Sequence, residues 1–169
     1  MSIRQNLYLT GFMGCGKSTV ARAFHALYGM PVVEMDERIE KEAGMPIPEI
    51  FRQKGEEAFR QMETELLDSL QSEKGVVVSC GGGVVLRPEN VERMKRSGKV
   101  IWLKASPEVI LERVSRNDNR PVLKGKKTMQ DIQALLEERR PAYESAASLV
   151  IDTDGKSARA ICREILHSL

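Results

Sequence analysis

Cysteine is scarce in this 169-residue chain, with only Cys15, Cys80 and Cys162. The three are far apart and form no C-x-x-C pair, so neither a metal knuckle nor a disulfide framework is indicated. Free thiols fit a reducing cytosol. The chain also lacks an apolar run approaching the roughly 20 residues that span a bilayer. No charged-then-apolar leader precedes the first strand. These absences predict a cytoplasmic protein without a membrane partner. Charge of one sign is missing too: 26 basic and 24 acidic residues leave a net charge of +2. With no basic run and no basic patch interleaved with aromatics, a nucleic-acid partner is not expected. There is no internal repeat and no low-complexity segment. The length fits a single domain over 1–169, large enough for a three-layer core.

What is present is an alternation of short apolar runs with amphipathic stretches. Strands are expected over 7–10, 32–34, 76–80, 100–103 and 149–152. Helices are expected over 17–28, 36–42, 48–53, 56–72, 88–96, 107–115, 129–145 and 157–166. The strand runs are nearly all apolar, as when helices cover both faces of a sheet. Strands alternating with helices imply right-handed crossovers and parallel pairing. Ser106 before Pro107 reads as a helix cap, and Thr128 with Asp131 resembles a capping box. Within 56–72, Phe59, Met62, Leu66, Leu67 and Leu70 form a core-facing stripe that leaves Arg60 and Glu63 off that face.

Gly11-Phe12-Met13-Gly14-Cys15-Gly16-Lys17-Ser18 spells G-x-x-x-x-G-K-[ST] between the first strand and the first helix. That context marks a phosphate-binding loop. Glycines allow successive backbone N–H groups to turn inward around an anion, and the following helix aims its positive end at the same charge. Lys17 supplies a cation for the outer phosphates and the Ser18 hydroxyl a ligand for Mg²⁺. No Asn-Lys-x-Asp tetrad for guanine recognition occurs, which turns the reading from a GTPase to a small-molecule phosphotransferase.

Three further features narrow the choice. Glu34 and Asp36 end the second strand, on the side that faces the ligand crevice of an open α/β sheet. Strand alternation aims both the same way if extended geometry persists; otherwise Asp36 caps the next helix. Gly81, Gly82 and Gly83 follow the third strand and permit close approach of a ligand to the backbone. Arg60, Arg120 and Arg139 are scattered cations, and Pro141 interrupts the helical pattern around Arg139. The polar stretch 117–127 reads either as a solvated connector or as a mobile basic lid that excludes water from the transfer.

In their order and spacing these stretches resemble the shikimate kinases over essentially the whole chain: the loop at 11–18, Met35-Asp36 with Ile39-Glu40, Gly55-Glu56 with Phe59-Arg60, Gly81-Gly82-Gly83, Arg120-Pro121-Val122-Leu123, and Arg139 with Pro141 and Tyr143. The resemblance implies transfer of the ATP γ-phosphoryl to the 3-hydroxyl of shikimate. It also implies a three-layer α/β P-loop kinase fold, nucleoside-monophosphate-kinase-like, with a five-stranded parallel sheet in order 2-3-1-4-5 and a lid. By that likeness Lys17, Asp36 and Arg120 are catalytic, with Asp36 holding the acceptor hydroxyls. Gly14, Cys15, Gly16, Lys17, Ser18, Thr19, Arg116 and Arg120 hold ATP, with Arg116 beside the adenine. Asp36, Arg60, Gly81, Gly82, Gly83 and Arg139 hold shikimate, the two arginines gripping its carboxylate through parallel donors. Glu63, one turn after Arg60, braces that side chain. Ser18 and Glu34 are the metal-side residues, and a monomer is expected.

The chain departs from the family where Glu34-Met35-Asp36 replaces the common Asp-x-Asp, which lengthens the metal-side carboxylate by one methylene. Two rivals stand at this level: a gluconate-kinase-like enzyme, and a catalytically silent nucleotide-binding module.

Overall fold

The computed structural model describes residues 3–115 and 128–169. Arg116, Arg120 and the stretch 117–127 lie outside the described residues. Five strands, β1 (Asn6–Thr10), β2 (Val32–Glu34), β3 (Val77–Ser79), β4 (Gly98–Lys104) and β5 (Leu149–Asp152), form one sheet in the order β2-β3-β1-β4-β5. All the pairings are parallel, and the expected strand order is borne out. The helices are α1 (Lys17–Tyr28), α2 (Met35–Ala43), α3 (Ile47–Lys54), α4 (Glu56–Ser69), α5 (Pro88–Ser97), α6 (Pro107–Val114), α7 (Met129–Ala146) and α8 (Ala158–Ser168).

Strand alternation divides the core into two layers. Leu7, Leu9, Ile101 and Leu103 pack on one side of the sheet with Phe24 of α1 and Ile161 and Ile165 of α8. Tyr8, Val100 and Trp102 face the other side, against Leu66 and Leu67 of α4 and Tyr143 of α7. A third group joins Phe12 and Met13 of the phosphate loop to Ile110, Val114 and Ile132. This anchors the loop to α6 and α7.

The cap expectations hold. Ser106 accepts from the Val109 N–H at 3.4 Å, with Pro107 opening α6. Thr128 accepts from the Asp131 N–H at 3.2 Å. The Asp131 carboxylate takes the Thr128 hydroxyl instead of reaching back to the backbone, because it is too short for a full box.

Several details refine the expectation. The extended backbone ends at Glu34, so Asp36 sits in the first turn of α2 and not beside Glu34 on a strand. Pro141 lies inside α7 without ending it. Burial of Arg139, Tyr143 and Ala146 along that helix outweighs the hydrogen bond lost at the proline. Arg60, Glu63 and Thr64 are buried along with the apolar stripe of α4, so that helix is covered on two faces. A 3-10 turn at Val84–Leu86, absent from the sequence reading, follows the triple glycine.

Candidate active site

One cleft of about 640 Å³ lies at the carboxyl end of the sheet. Its first end is the loop between β1 and α1. Gly16 adopts φ 96° and opens α1, a left-handed backbone that a side chain resists. At Gly11 a Cβ would stand 2.5 Å from the Leu103 carbonyl oxygen. These positions therefore need glycine, and the first turn of α1 is left with N–H groups facing the cleft. Gly14, Cys15, Gly16, Lys17, Ser18 and Thr19 all line it. The Lys17 ammonium donates to the carbonyls of Gly11 at 2.7 Å and Phe12 at 3.1 Å.

Beside the loop, the Ser18 hydroxyl donates to Glu34 Oε2 at 2.9 Å and lies 3.3 Å from Ser79 Oγ. Glu34 Oε1 is buried with no hydrogen-bond partner among the described residues. A hydroxyl next to an under-satisfied carboxylate suits Mg²⁺, which takes one or two protein oxygens and completes its shell with water and phosphate.

The second end is an arginine-lined pocket built from four elements. Asp36 comes from α2, Arg60 and Glu63 from α4, Gly81, Gly82 and Gly83 from the turn after β3, and Arg139 from α7. The chain thus brings Asp36, Arg60 and Arg139 to one cavity, which it shares with the phosphate loop. Arg60 Nη1 donates to Glu63 Oε1 at 2.8 Å, and its Nη2 to the exposed Glu56 at 3.2 Å. Arg139 lies with its guanidinium 5.6 Å from the centre of the Phe12 ring. Its Nη1 is buried with no hydrogen-bond partner among the described residues. A buried donor of that kind carries a cost unless an anion meets it.

Space around the glycines is taken by these side chains. A Cβ on Gly83 would stand 2.5 Å from Arg60 Nη1, and one on Gly81 would stand 2.3 Å from Glu63 Oε2. Gly83 has φ −100°, which alanine adopts without strain. Replacing Gly83 with alanine is therefore expected to strain no backbone but to displace the buried Arg60 head from its place beside Glu63. Losing a charge-assisted contact of about 1.5–3 kcal/mol corresponds to a rise of about 10- to 100-fold in acceptor KM. An unchanged KM would place the Arg60 guanidinium outside the acceptor pocket.

Burial pushes the Glu63 carboxyl above its ordinary 4.5, against the pull of Arg60, with Asp36 nearby adding to the rise. For Arg60, burial pulls down, but the two glutamates outweigh it and the guanidinium is held firmly charged. A carboxyl that binds its proton more tightly in the folded chain adds stability that is complete below 4.5. That stability is lost as pH rises through the folded value. Glu63→Gln removes this dependence. Urea midpoints across a pH series should show the stability of the wild type, relative to the variant, falling as pH rises. A constant difference between the two would contradict the assignment.

A third wall escaped the sequence reading. Arg113 of α6 donates from Nη1 to the Gly14 carbonyl at 2.8 Å and lies alongside Gly16. Thr153 and Lys156, after β5, complete that side. Arg113 stands three residues before Arg116, the cation the sequence reading placed at the adenine. No local sequence signal marks Arg113; the docking of α6 on the loop brings it to the cleft.

The family model described as shikimate kinase matches residues 13–169. The chain belongs to the shikimate kinase family. Among curated relatives, a shikimate kinase of Moorella thermoacetica is 42% identical over 97% of this chain and 94% of its own. One of Persephonella marina is 43% identical over 96% and 97%. The solved shikimate kinase of Acinetobacter baumannii in complex with shikimate superposes with a TM-score of 0.92 at 37% identity, covering 98% of this chain and 93% of that one. The family match runs from within the phosphate loop through the glycine turn, α6 and α7. The family's P-loop kinase fold is the fold observed here.

Proposed function

We propose that this chain, acting as one kinase domain, transfers the γ-phosphoryl group of ATP to the 3-hydroxyl of shikimate. The observation that carries this reading is a single cleft with an anion-binding loop at one end and two buried arginines beside a triple-glycine turn at the other. A carboxylic acid with ring hydroxyls fits the second end, since each guanidinium offers parallel donors to a carboxylate.

In this reading the loop N–H groups, Lys17, Ser18 and Thr19 receive the phosphates, and Arg113 closes the nucleotide side. Ser18 and Glu34 hold Mg²⁺, which when bound neutralises phosphate charge. Arg60 and Arg139 grip the acceptor carboxylate, and Gly81, Gly82 and Gly83 border the ring. Asp36, at the amino end of α2 where a carboxylate is stabilised as the anion, orients the reacting hydroxyl and takes its proton. Arg120 and Arg116 belong to the proposal from the resemblance alone.

The three free, buried thiols suit a reducing compartment. Among the described residues no helix is long and apolar enough to cross a membrane. We place the enzyme in the cytoplasm as a monomer, since one chain supplies both ends of the cleft.

Coupled detection of ADP with shikimate and gluconate as parallel acceptors tests the reading. ADP release with shikimate and none with gluconate is expected. The reverse would transfer the chain to gluconate phosphorylation, and background release with both would leave only a nucleotide-binding module.

A further inference from the structure

The two helices that carry the arginine pair share a device. Four residues after Arg60, α4 places Thr64; four residues after Arg139, α7 places Tyr143. That spacing puts each hydroxyl on the same helix face as its arginine, one turn on. Both hydroxyls are tied to the segment of the triple glycine, one directly and one through a neighbour. The Tyr143 phenol donates directly to the Gly82 carbonyl at 2.5 Å. The Thr64 hydroxyl acts through an amide: it donates to Asn90 Oδ1 at 2.7 Å, and Asn90 Nδ2 donates to the Val84 carbonyl at 3.0 Å.

Both connections are protected from water. Tyr143, Asn90 and Thr64 are at most 3% exposed. The Tyr143 ring is fixed by stacking on Trp102, with centroids 5.6 Å apart. Burial holds its hydroxyl up to about 12, so it remains a donor at neutral pH. The turn between the two attachments is closed on itself by Val84 N–H to Gly81 O and Leu86 N–H to Gly83 O, each at 3.1 Å. The guanidinia lie against the same turn, Arg60 at Gly83 and Arg139 at Gly82.

We propose that Tyr143 and the Thr64–Asn90 pair are positioning residues that set the span between Arg60 and Arg139 by latching α7 and α4 to one shared turn. The acceptor carboxylate is then read by the distance between two cations as well as by their charge. This rests on the reading of Arg60 and Arg139 as the carboxylate clamp. Without a latch the helix or the turn slides while both charges stay in the pocket, and the two guanidinia no longer meet one carboxylate together.

Tyr143→Phe deletes one oxygen and keeps the ring stack, and Thr64→Val keeps the shape of its side chain. Each is assayed beside wild type and Thr64→Ser with shikimate, with its methyl ester, and with varied ATP. The expected result is a rise of about tenfold in shikimate KM, the size of one lost hydrogen bond, with kcat and ATP KM near wild type. The preference for acid over ester should fall by the same factor, and Thr64→Ser should restore it. An unchanged shikimate KM in both variants overturns the proposal. So does an equal rise for acid and ester, or a parallel rise for ATP, since either marks general loosening. If Tyr143→Phe fails to fold, Thr64→Val and its serine rescue decide the matter alone. Wild type that phosphorylates shikimate but does not prefer it over its ester would instead remove the clamp reading itself.

Discussion

Replacing Lys17 with alanine is expected to lower turnover by about 10²–10³-fold, the usual cost of deleting one preorganised charge-stabilising donor. The chain should still fold. The loop owes its shape to contacts that do not involve the lysine: Cys15 N–H to Phe12 O at 3.2 Å, Val20 N–H to Gly16 O at 3.0 Å, and the Arg113 bond to Gly14. The Lys17 ammonium sits at the inner curve of that loop, held by two carbonyls. In the proposed reading that position faces it toward the phosphates that the loop N–H groups receive. Phosphoryl transfer needs positioning and charge neutralisation more than covalent help, so the loss falls on kcat more than on the melting temperature. Wild-type turnover in Lys17→Ala, measured by the coupled assay, would move the transferring phosphate away from this loop.

Asp36→Asn is expected to lower kcat by about 10²–10⁴-fold, the range for removing a positioned proton acceptor. ATP affinity should stay close to wild type. Asparagine keeps the shape of the side chain and removes only its charge and basicity. Asp36 occupies the first turn of α2, and its Oδ1 stands 3.4 Å from where a Cβ on Gly81 would be. That places the carboxylate at the glycine turn, in the cleft that also holds the arginines and the phosphate loop. Equilibrium ATP binding and single-turnover kinetics separate the possibilities. A drop in kcat below about tenfold would reduce Asp36 to orienting the hydroxyl, and a matching loss of ATP affinity would move it to the nucleotide side.

Much of this was readable along the chain. The bounds of α1 at Lys17–Tyr28 were read correctly, because the loop before it and the cap after it are local chemistry. Gly29, left-handed at φ 67°, stops the helix where the apolar spacing ends. The junction at Glu34 was ambiguous from sequence, since a carboxylate at 36 suits both a strand end and a helix start. Arg60 and Glu63 read as residues off the core face, because periodicity marks apolar burial and is blind to a buried ion pair. Arg113 was missed for a related reason: an arginine on an amphipathic helix looks like solvated surface until a partner loop is docked against it.

By itself the sequence determined the glycine loop, because eight contiguous residues suffice to curl a backbone inward and to start a helix behind it. It also determined the alternating strands and helices, through apolar periodicity. The resemblance named the residues of the second end, and only the tertiary structure brought them to one cavity. Asp36, Arg60, Gly83 and Arg139 are distant along the chain and belong to separate elements. They meet because the order β2-β3-β1-β4-β5 gathers the strand ends and packs α4 and α7 on one side of the sheet. Burial then holds charges where an exposed helix would leave them in water.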